Sequence, residues 1–385
     1  MLQFKNYVPV EIEFGVKKLE TIGAHVKRFG KKALIVTTGP FFRESGLTGR
    51  IQDYLKAEGV ESELYFDVSP NPHSEEADAG AAFAREKGCD VVIGLGGGSA
   101  IDAAKCIAVG VAQNEPTWPY WIGEKAIYAA LPIIAVTTTS GTGSHITHYS
   151  VITNPKTNEK PGAGSPLLFA KVAIVDPDLM VSMPGRITAA TGFDVLAHAI
   201  EAYTSRDANP FSDLYCEQAV KLVGKYLRKA VKDGNDVEAR EKMALADTFA
   251  GCSISIAVIT LCHAMAHSVG GVCSTVHGES LAAMTPPAMR HSMGNMPEKY
   301  KNIGAWLKGY DTAPAGWTPE DTVKAVEEII ADIGMNMPLS KQGVKKSDFD
   351  AIIKGTVGYM AGGCDLDPAA PVSADDVRKV LEASF

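Results

Sequence analysis

Short apolar, β-branched runs alternate with amphipathic stretches as far as about residue 180, and from Ile187 onward long helical periodicities take over. The first regular stretch is a helical pattern from Val16 to Phe29. Ala33–Thr38 follows as a buried strand that ends at Gly39-Pro40, a pair that favours a turn. An amphipathic helix over 47–58 leads to a strand over Ser62–Val68, closed by Ser69-Pro70-Asn71-Pro72. A helix is expected from about Glu75 to Lys87, and strands at Asp90–Leu95, Leu131–Val136 and Val172–Val175. Strands and helices alternating in this way build a mostly parallel sheet with helices on its faces. Asp176-Pro177-Asp178-Leu179 then reads as a closing linker. Beyond it, Phe211–Val231 and Asp236–Cys252 are predicted helices. Pro286-Pro287 and the stretch 314–319 mark bends between helices, and Ser373 caps a terminal helix that runs to Ala383. The fold class is therefore α/β plus all-α: an α/β domain over residues 1–180 and a helical domain over 181–385. No internal repeat or low-complexity tract interrupts them.

Two of the apolar helical stretches carry residues that are hard to bury. In Ala190–Glu201, Asp194 and His198 stand four apart and share one helix face. In Leu261–Gly278, His263 and His267 repeat that spacing, and His277 follows. Four of the nine histidines thus fall between 198 and 277. Neutral imidazole and carboxylate are the ligands a first-row divalent ion prefers, and a shared helix face presents two of them already ordered. Either segment alone reads more readily as a helix ion pair or a satisfied core histidine; the two together favour a metal site. A third feature lies in the first domain, where the strand Asp90–Leu95 runs through Gly96-Gly97-Gly98-Ser99 into helical spacing. Glycines there let backbone N–H groups approach an anion, and the helix N-terminus favours a pyrophosphate. The run lacks the final spaced glycine of G-x-G-x-x-G, so from the loop alone a close-packed turn reads equally well.

Bulk properties narrow the classes. With 385 residues, 46% hydrophobic and 21% charged, the chain is long enough for two buried cores and has an ordinary globular balance. A formal net charge of -8 argues against nucleic acid or an anionic membrane as a partner, since both reward basic faces. The N-terminus has no signal pattern, and no apolar run approaches the roughly 18 residues of a membrane span, so a cytoplasmic location is expected. Seven cysteines without CxxC pairs fit reduced, mostly buried thiols.

The segment Thr191-Gly192-Phe193-Asp194-Val195-Leu196-Ala197-His198-Ala199-Ile200-Glu201-Ala202-Tyr203, with His263, His267 and His277, resembles the signatures of the iron-containing (group III) alcohol dehydrogenase family. Gly96-Gly97-Gly98-Ser99-x-x-Asp102-x-Ala104-Lys105 matches that family's dinucleotide motif. The resemblance covers most of the chain and is densest over residues 90–280. It implies a nucleotide-binding first domain, a metal-binding second domain and an active site in the cleft between them. By it, Asp194, His198, His263 and His277 hold one divalent ion, Fe2+ ahead of Zn2+. NAD or NADP is bound by Thr38, Asn71, Gly97, Gly98, Ser99, Asp102, Thr138, Thr139, Thr142, Lys160 and Leu179. The implied reaction is hydride transfer between a small primary alcohol or diol and nicotinamide, or aldehyde reduction in reverse, in a homo-oligomer such as a dimer. His267 is implied to relay the proton, a role its spacing leaves open against a hydrogen-bonding one.

Departures matter as well. His145 replaces the glutamate usual after Gly-x-Gly-Ser, and Ser255, Ile256, Val258 and Thr260 stand where family members often carry Asn and Gly. Thr38 occupies the position of an aspartate that binds the adenosine ribose in NAD-restricted members. NADP(H) is therefore expected to be accepted at least as readily as NAD(H), although no arginine precedes Arg43 to reward the 2′-phosphate. Dehydroquinate-synthase-like and glycerol-dehydrogenase-like enzymes share this architecture. The former would need Lys and Arg near the metal for an acidic substrate, and Ser253–Cys262 and Val269–Cys273 contain none. A non-catalytic metal- or nucleotide-binding protein is the alternative from another class.

Overall fold

The computed structural model describes residues 3–385 and divides them into two compact units. The first comprises Val8–Thr139 and Ser144–Met180. It contains β1 (Glu11–Phe14), β2 (Lys32–Thr38), β3 (Glu61–Val68), β4 (Val91–Gly96), β5 (Ile133–Thr137), β6 (Tyr149–Val151), β7 (Gly162–Gly164) and β8 (Val172–Val175). Six of these form a parallel sheet in the order β1-β8-β5-β4-β2-β3, while β6 and β7 pair antiparallel. Strand residues alternate between the two faces. Leu34, Val36, Val92 and Ile133 pack on one side with Ile101 and Ile107 of α1 (Gly98–Gln113). Ala33, Ile35, Ile93 and Ile134 pack on the other with Ile51 and Leu55 of the helix Leu47–Ala57. Each fully buried Ile or Val contributes about 1.5 to 3 kcal/mol, which is why these strands are apolar on both sides.

The strand order fixes where a ligand belongs. From β2 the chain steps outward to β3, then returns to lay β4 and β5 on β2's other side, so its direction reverses between β2 and β4. Open parallel sheets bind ligands beyond the carboxyl ends of their strands at such a reversal. Thr38 ends β2 and Gly96 ends β4.

The second unit is Val181–Phe385 with the residues up to Tyr7 and the loop Ser140–Gly143. Its axis is α2 (Gly185–Thr204), buried at nearly every position from Thr188 on, as befits a helix surrounded by others. Around the same core lie the helix Pro210–Lys232, α3 (Val237–Ala257), α4 (Leu261–Cys273) and α5 (His277–Ser292). The start of α5 touches α2: a Cβ at Gly278 would meet the Ala190 carbonyl oxygen at 2.1 Å. Only glycine permits that approach, and it carries His277 with it. No single helix among the described residues is long and apolar enough to cross a membrane; α3 and α4 are so only taken together, as a pair bent by 101°.

Several elements differ from expectation. Val16–Phe29 yields a 3-10 turn at Lys18–Thr21 and a short helix at Ile22–Val26, and β1, β6 and β7 were not anticipated. These strands have three or four residues each, too few to establish a period. Pro286 and Pro287 lie inside α5 rather than between helices. Leu281, Ala282, Met284, Ala288 and Met289 hold α5 in the core on both sides of the pair, so packing outweighs the lost hydrogen bonds. The stretch 314–319 is a bend, and Ser373 caps Ala374–Ala383 as expected.

Val258, between α3 and α4, has φ 63 and ψ 173, a region that β-branched residues avoid. Such strain costs about 1 to 3 kcal/mol, and the entropy a glycine adds to the unfolded chain offsets about 0.4 to 1 kcal/mol of any relief. Val258→Gly is expected to raise the urea midpoint of the metal-free protein by a net stabilisation of about 1 kcal/mol. A lower midpoint would show that Val258 packing outweighs the strain.

Candidate active site

Helix geometry brings the polar residues of α2, α4 and α5 together. Asp194 and His198 lie one turn apart on α2, and Asp194 Oδ1 is 3.7 Å from His198 Nε2. His263, in the first turn of α4, puts Nε2 at 3.2 Å from the same oxygen. His277, the first residue of α5, puts Nε2 at 3.8 Å. The imidazoles of His198 and His263 stack with centroids 4.4 Å apart. Asp194, His198 and His263 are all buried and His277 is partly so. The ligand atoms of Asp194, His263 and His277 lie mutually within 4.8 Å; His198 stands just outside that set while its Nε2 faces Asp194.

The second ring nitrogens of His198 and His263 are engaged. His198 Nδ1 lies 3.2 Å from the Gly141 carbonyl, and His263 Nδ1 lies 2.7 Å from Glu201 Oε1. With Nδ1–H donating in both rings, Nε2 is free to offer a lone pair beside Asp194. The donor set is thus one carboxylate and three imidazoles, which fits a first-row divalent ion. Electrostatics agree. Burial opposes ionising Asp194, yet the imidazoles of His198, His263 and His277 outweigh it and hold the carboxyl well below its usual range. Burial likewise opposes charge on His263, but Glu201 and Asp194 push its pKa up to about 10. Burial keeps His198 neutral, down at about 4. The two acids thus favour positive charge at this point. A second group, Glu11, Glu13 and His25, is more exposed, and its carboxylates are already paired with Arg28 and Lys18.

His267 lies one turn beyond His263 on α4, buried, with its ring 5.5 Å from that of His277 and 6.5 Å from that of His263. It adjoins the cluster without joining the close set around Asp194.

In the α/β unit the expected dinucleotide residues form linked groups. Gly97 precedes α1, and Gly98 and Ser99 form its first turn, two residues earlier than the spacing suggested. Ser99 Oγ accepts from the Asn71 backbone N–H at 3.3 Å, and Asn71 Oδ1 accepts from Lys160 Nζ at 2.7 Å. Lys160 is buried rather than an exposed loop lysine. Thr138 N–H donates to the Gly96 carbonyl, and the Thr139 side chain lies against Gly97. Asp102 is occupied: its carboxylate accepts from Ser144 Oγ and from Val151 N–H, and so anchors the segment after the loop. Beside it, buried Lys105 donates to the Thr147 and Tyr149 carbonyls and is pulled down to about 8 by burial, which Asp102 opposes. His145 is buried and neutral, held near 3 by burial and by Lys105. Thr142 belongs to the loop that packs in the helical unit, and Leu179 packs on the sheet from the 3-10 turn Pro177–Leu179. Thr38 stands opposite Asp67 and Val68 of β3 at an irregular register. Asp67 is exposed, so a carboxylate stands opposite Thr38 on the adjacent strand.

Two residues with clear structural work escaped the sequence reading. Glu201 follows Asp194 and His198 at helical spacing, and its signal was a third polar residue on one face of an apolar helix. Asp247 is a lone acid in an apolar stretch of α3. It accepts the Gly143 N–H at 2.8 Å and a Gly141 backbone bond, while burial pushes its carboxyl up to about 7. The loop 140–143 is thereby tied to α3 through Asp247 and to α2 through His198.

Comparison with known proteins gives matches along almost the whole chain. Residues 9–177 match the family model described as iron-containing alcohol dehydrogenase, and residues 188–385 match that of the C-terminal part of the Fe-containing alcohol dehydrogenase family. A 1,3-propanediol dehydrogenase of Klebsiella pneumoniae is 36% identical over 352 residues, 90% of each chain. An NAD-dependent methanol dehydrogenase of Bacillus methanolicus is 32% identical over 380 residues, 98% of each. Among solved structures, an archaeal halo-thermophilic Red Sea brine pool alcohol dehydrogenase superposes with a TM-score of 0.94 at 38% identity, over 100% of both chains.

Asp247→Ala would leave buried loop N–H groups unpaired, at a cost of about 1 to 3 kcal/mol. Urea unfolding of the metal-free protein is expected to register that loss. An unchanged midpoint would mean that the loop is held by other contacts.

Proposed function

Because this chain belongs to the iron-containing alcohol dehydrogenase family, we propose that Asp194, His198, His263 and His277 hold one divalent ion, Fe2+ or Zn2+, for its alcohol dehydrogenase reaction. The chain is an NAD-linked alcohol dehydrogenase of a family that uses NAD(H) and iron. The observation that carries the ligand reading is the convergence of three Nε2 atoms on Asp194 Oδ1 in a buried site that calls for positive charge. When bound, the ion would supply Lewis acidity towards an alcohol or aldehyde oxygen.

The chain's own residues do the rest. The N–H groups at the start of α1, with Gly97, Gly98 and Ser99, are suited to the pyrophosphate. Asn71, fixed by Ser99 and Lys160, and the Thr138-Thr139 turn beside Gly97 shape the remainder of the dinucleotide site. Asp102 contributes by anchoring Ser144 and Val151. In the oxidation direction the alcohol gives its hydroxyl proton to a base and a hydride from its carbinol carbon to the nicotinamide, yielding aldehyde and NADH. His267, beside His277, is suited to carry the proton.

The substrate reading is a small primary alcohol or diol, in line with relatives named for 1,3-propanediol and methanol. A homo-oligomer and a cytoplasmic setting belong to the same reading, the latter supported by seven free thiols, six of them buried. An NADH absorbance assay over short alcohols, diols and aldehydes, after anaerobic purification, tests it. Turnover of none would refute the substrate class.

His277→Ala is expected to lose most bound metal and to drop kcat/KM by more than about a hundredfold, near 2.7 kcal/mol. His267→Ala should keep the metal and slow turnover. Equal metal loss in the two variants would make His267 a ligand, and full metal with normal turnover in His277→Ala would defeat the ligand set.

Asp67 alters the expectation for NADP(H), since a carboxylate opposite Thr38 repels a 2′-phosphate. Asp67→Asn should move the NADPH-to-NADH ratio of kcat/KM upward by about tenfold, ~1.4 kcal/mol, and Thr38→Asp should move it downward. Ratios unchanged in both would put this strand end away from the ribose.

A further inference from the structure

Glu201 is buried on α2, one turn beyond His198. Its carboxylate faces the start of α4, where Thr260 holds the N-cap position without a side-chain cap of its own. Glu201 supplies what is missing: Oε2 accepts the Thr260 N–H, and Oε1 accepts the His263 N–H at 3.1 Å. The same Oε1 lies 2.7 Å from His263 Nδ1. One side chain therefore binds two of the N–H groups that a helix start leaves unsatisfied and also the ring of a residue in that first turn. His198 differs, since its Nδ1 meets only the neutral Gly141 carbonyl.

From these contacts we infer that Glu201 is the positioning residue of the metal centre, fixing His263 as its Nδ1–H tautomer and aiming Nε2 at the ion beside Asp194. The inference rests on the four-ligand reading above and deepens it. Three consequences follow from the geometry. The His263 ring cannot turn without breaking a 2.7 Å contact and uncapping α4, so its Nε2 is kept turned to Asp194 before metal arrives. A carboxylate on Nδ1–H makes the opposite nitrogen a stronger donor, so His263 is a stronger imidazole ligand than His198, whose Nδ1 meets a neutral carbonyl. Glu201 and Asp194 together place two buried carboxyl groups about one ring, an arrangement suited to a cation.

The test uses full-length protein stripped of metal, with Zn2+ affinity read by chelator competition and the visible spectrum read with Co2+. Glu201→Gln is expected to bind Zn2+ about ten- to hundredfold more weakly and to shift the Co2+ bands. Val380→Ala, a core truncation in the terminal helix, controls for lost stability and should leave both unchanged. A folded Glu201→Gln protein with wild-type affinity and spectrum overturns the inference. Should that variant fail to fold, nitrogen NMR of the zinc-loaded wild type decides: Nδ1–H with Nε2 on the metal supports the role, and metal on Nδ1 of His263 overturns it. If the wild-type protein binds no Zn2+, or His277→Ala binds it as tightly as wild type, the four-ligand reading fails instead.

Discussion

A carboxylate buried among three imidazoles is the constraint on which the helical unit depends. Asp194 sits inside an apolar core, where an unpaired charge is costly, and Glu201 adds a second carboxylate a few ångströms of ring away. Among the described residues, neither forms an ion pair with Lys or Arg. What answers them is the set of imidazole rings. The surrounding structure serves to hold these groups close: α2 is buried on all sides, Gly278 lets the start of α5 touch α2, and the start of α4 is capped by Glu201. A centre of this kind is preorganised for a cation, because the desolvation is already met by folding.

The α/β unit follows a different logic. Its sheet is apolar on both faces and reverses direction between β2 and β4, and the glycine loop lies at the end of β4. Its charged groups are turned to scaffolding: Asp102 ties down Ser144 and Val151, while Lys105 spends its donors on two carbonyls. The loop that follows β5 links the two kinds of site through the chain itself. Thr138 bonds back to Gly96, and only a few residues later Gly141 and Gly143 are held by His198 and Asp247.

Much of this was legible in the sequence because it is periodic. Four-residue spacing placed Asp194 with His198 on one face, and apolar runs bounded by Gly and Pro located β2, β3, β4, β5 and β8. What escaped depends on partners distant along the chain. Glu201 reads as one more residue of an amphipathic pattern until α4 is laid against it, and Asp67 comes opposite Thr38 only through strand pairing. The proline pair in α5 misled because local propensity argues for a break, and core packing on both sides overrides it. The short strands β1, β6 and β7 carry too few positions for any period.

The most direct test of the metal centre is crystallographic. An anomalous difference map from metal-loaded crystals, collected at the absorption edge of the bound ion, should show one strong peak per chain, at about 2.0 to 2.2 Å from an Asp194 oxygen and the Nε2 atoms of His198, His263 and His277. A peak at other residues, or one that His198 does not reach, would contradict the account.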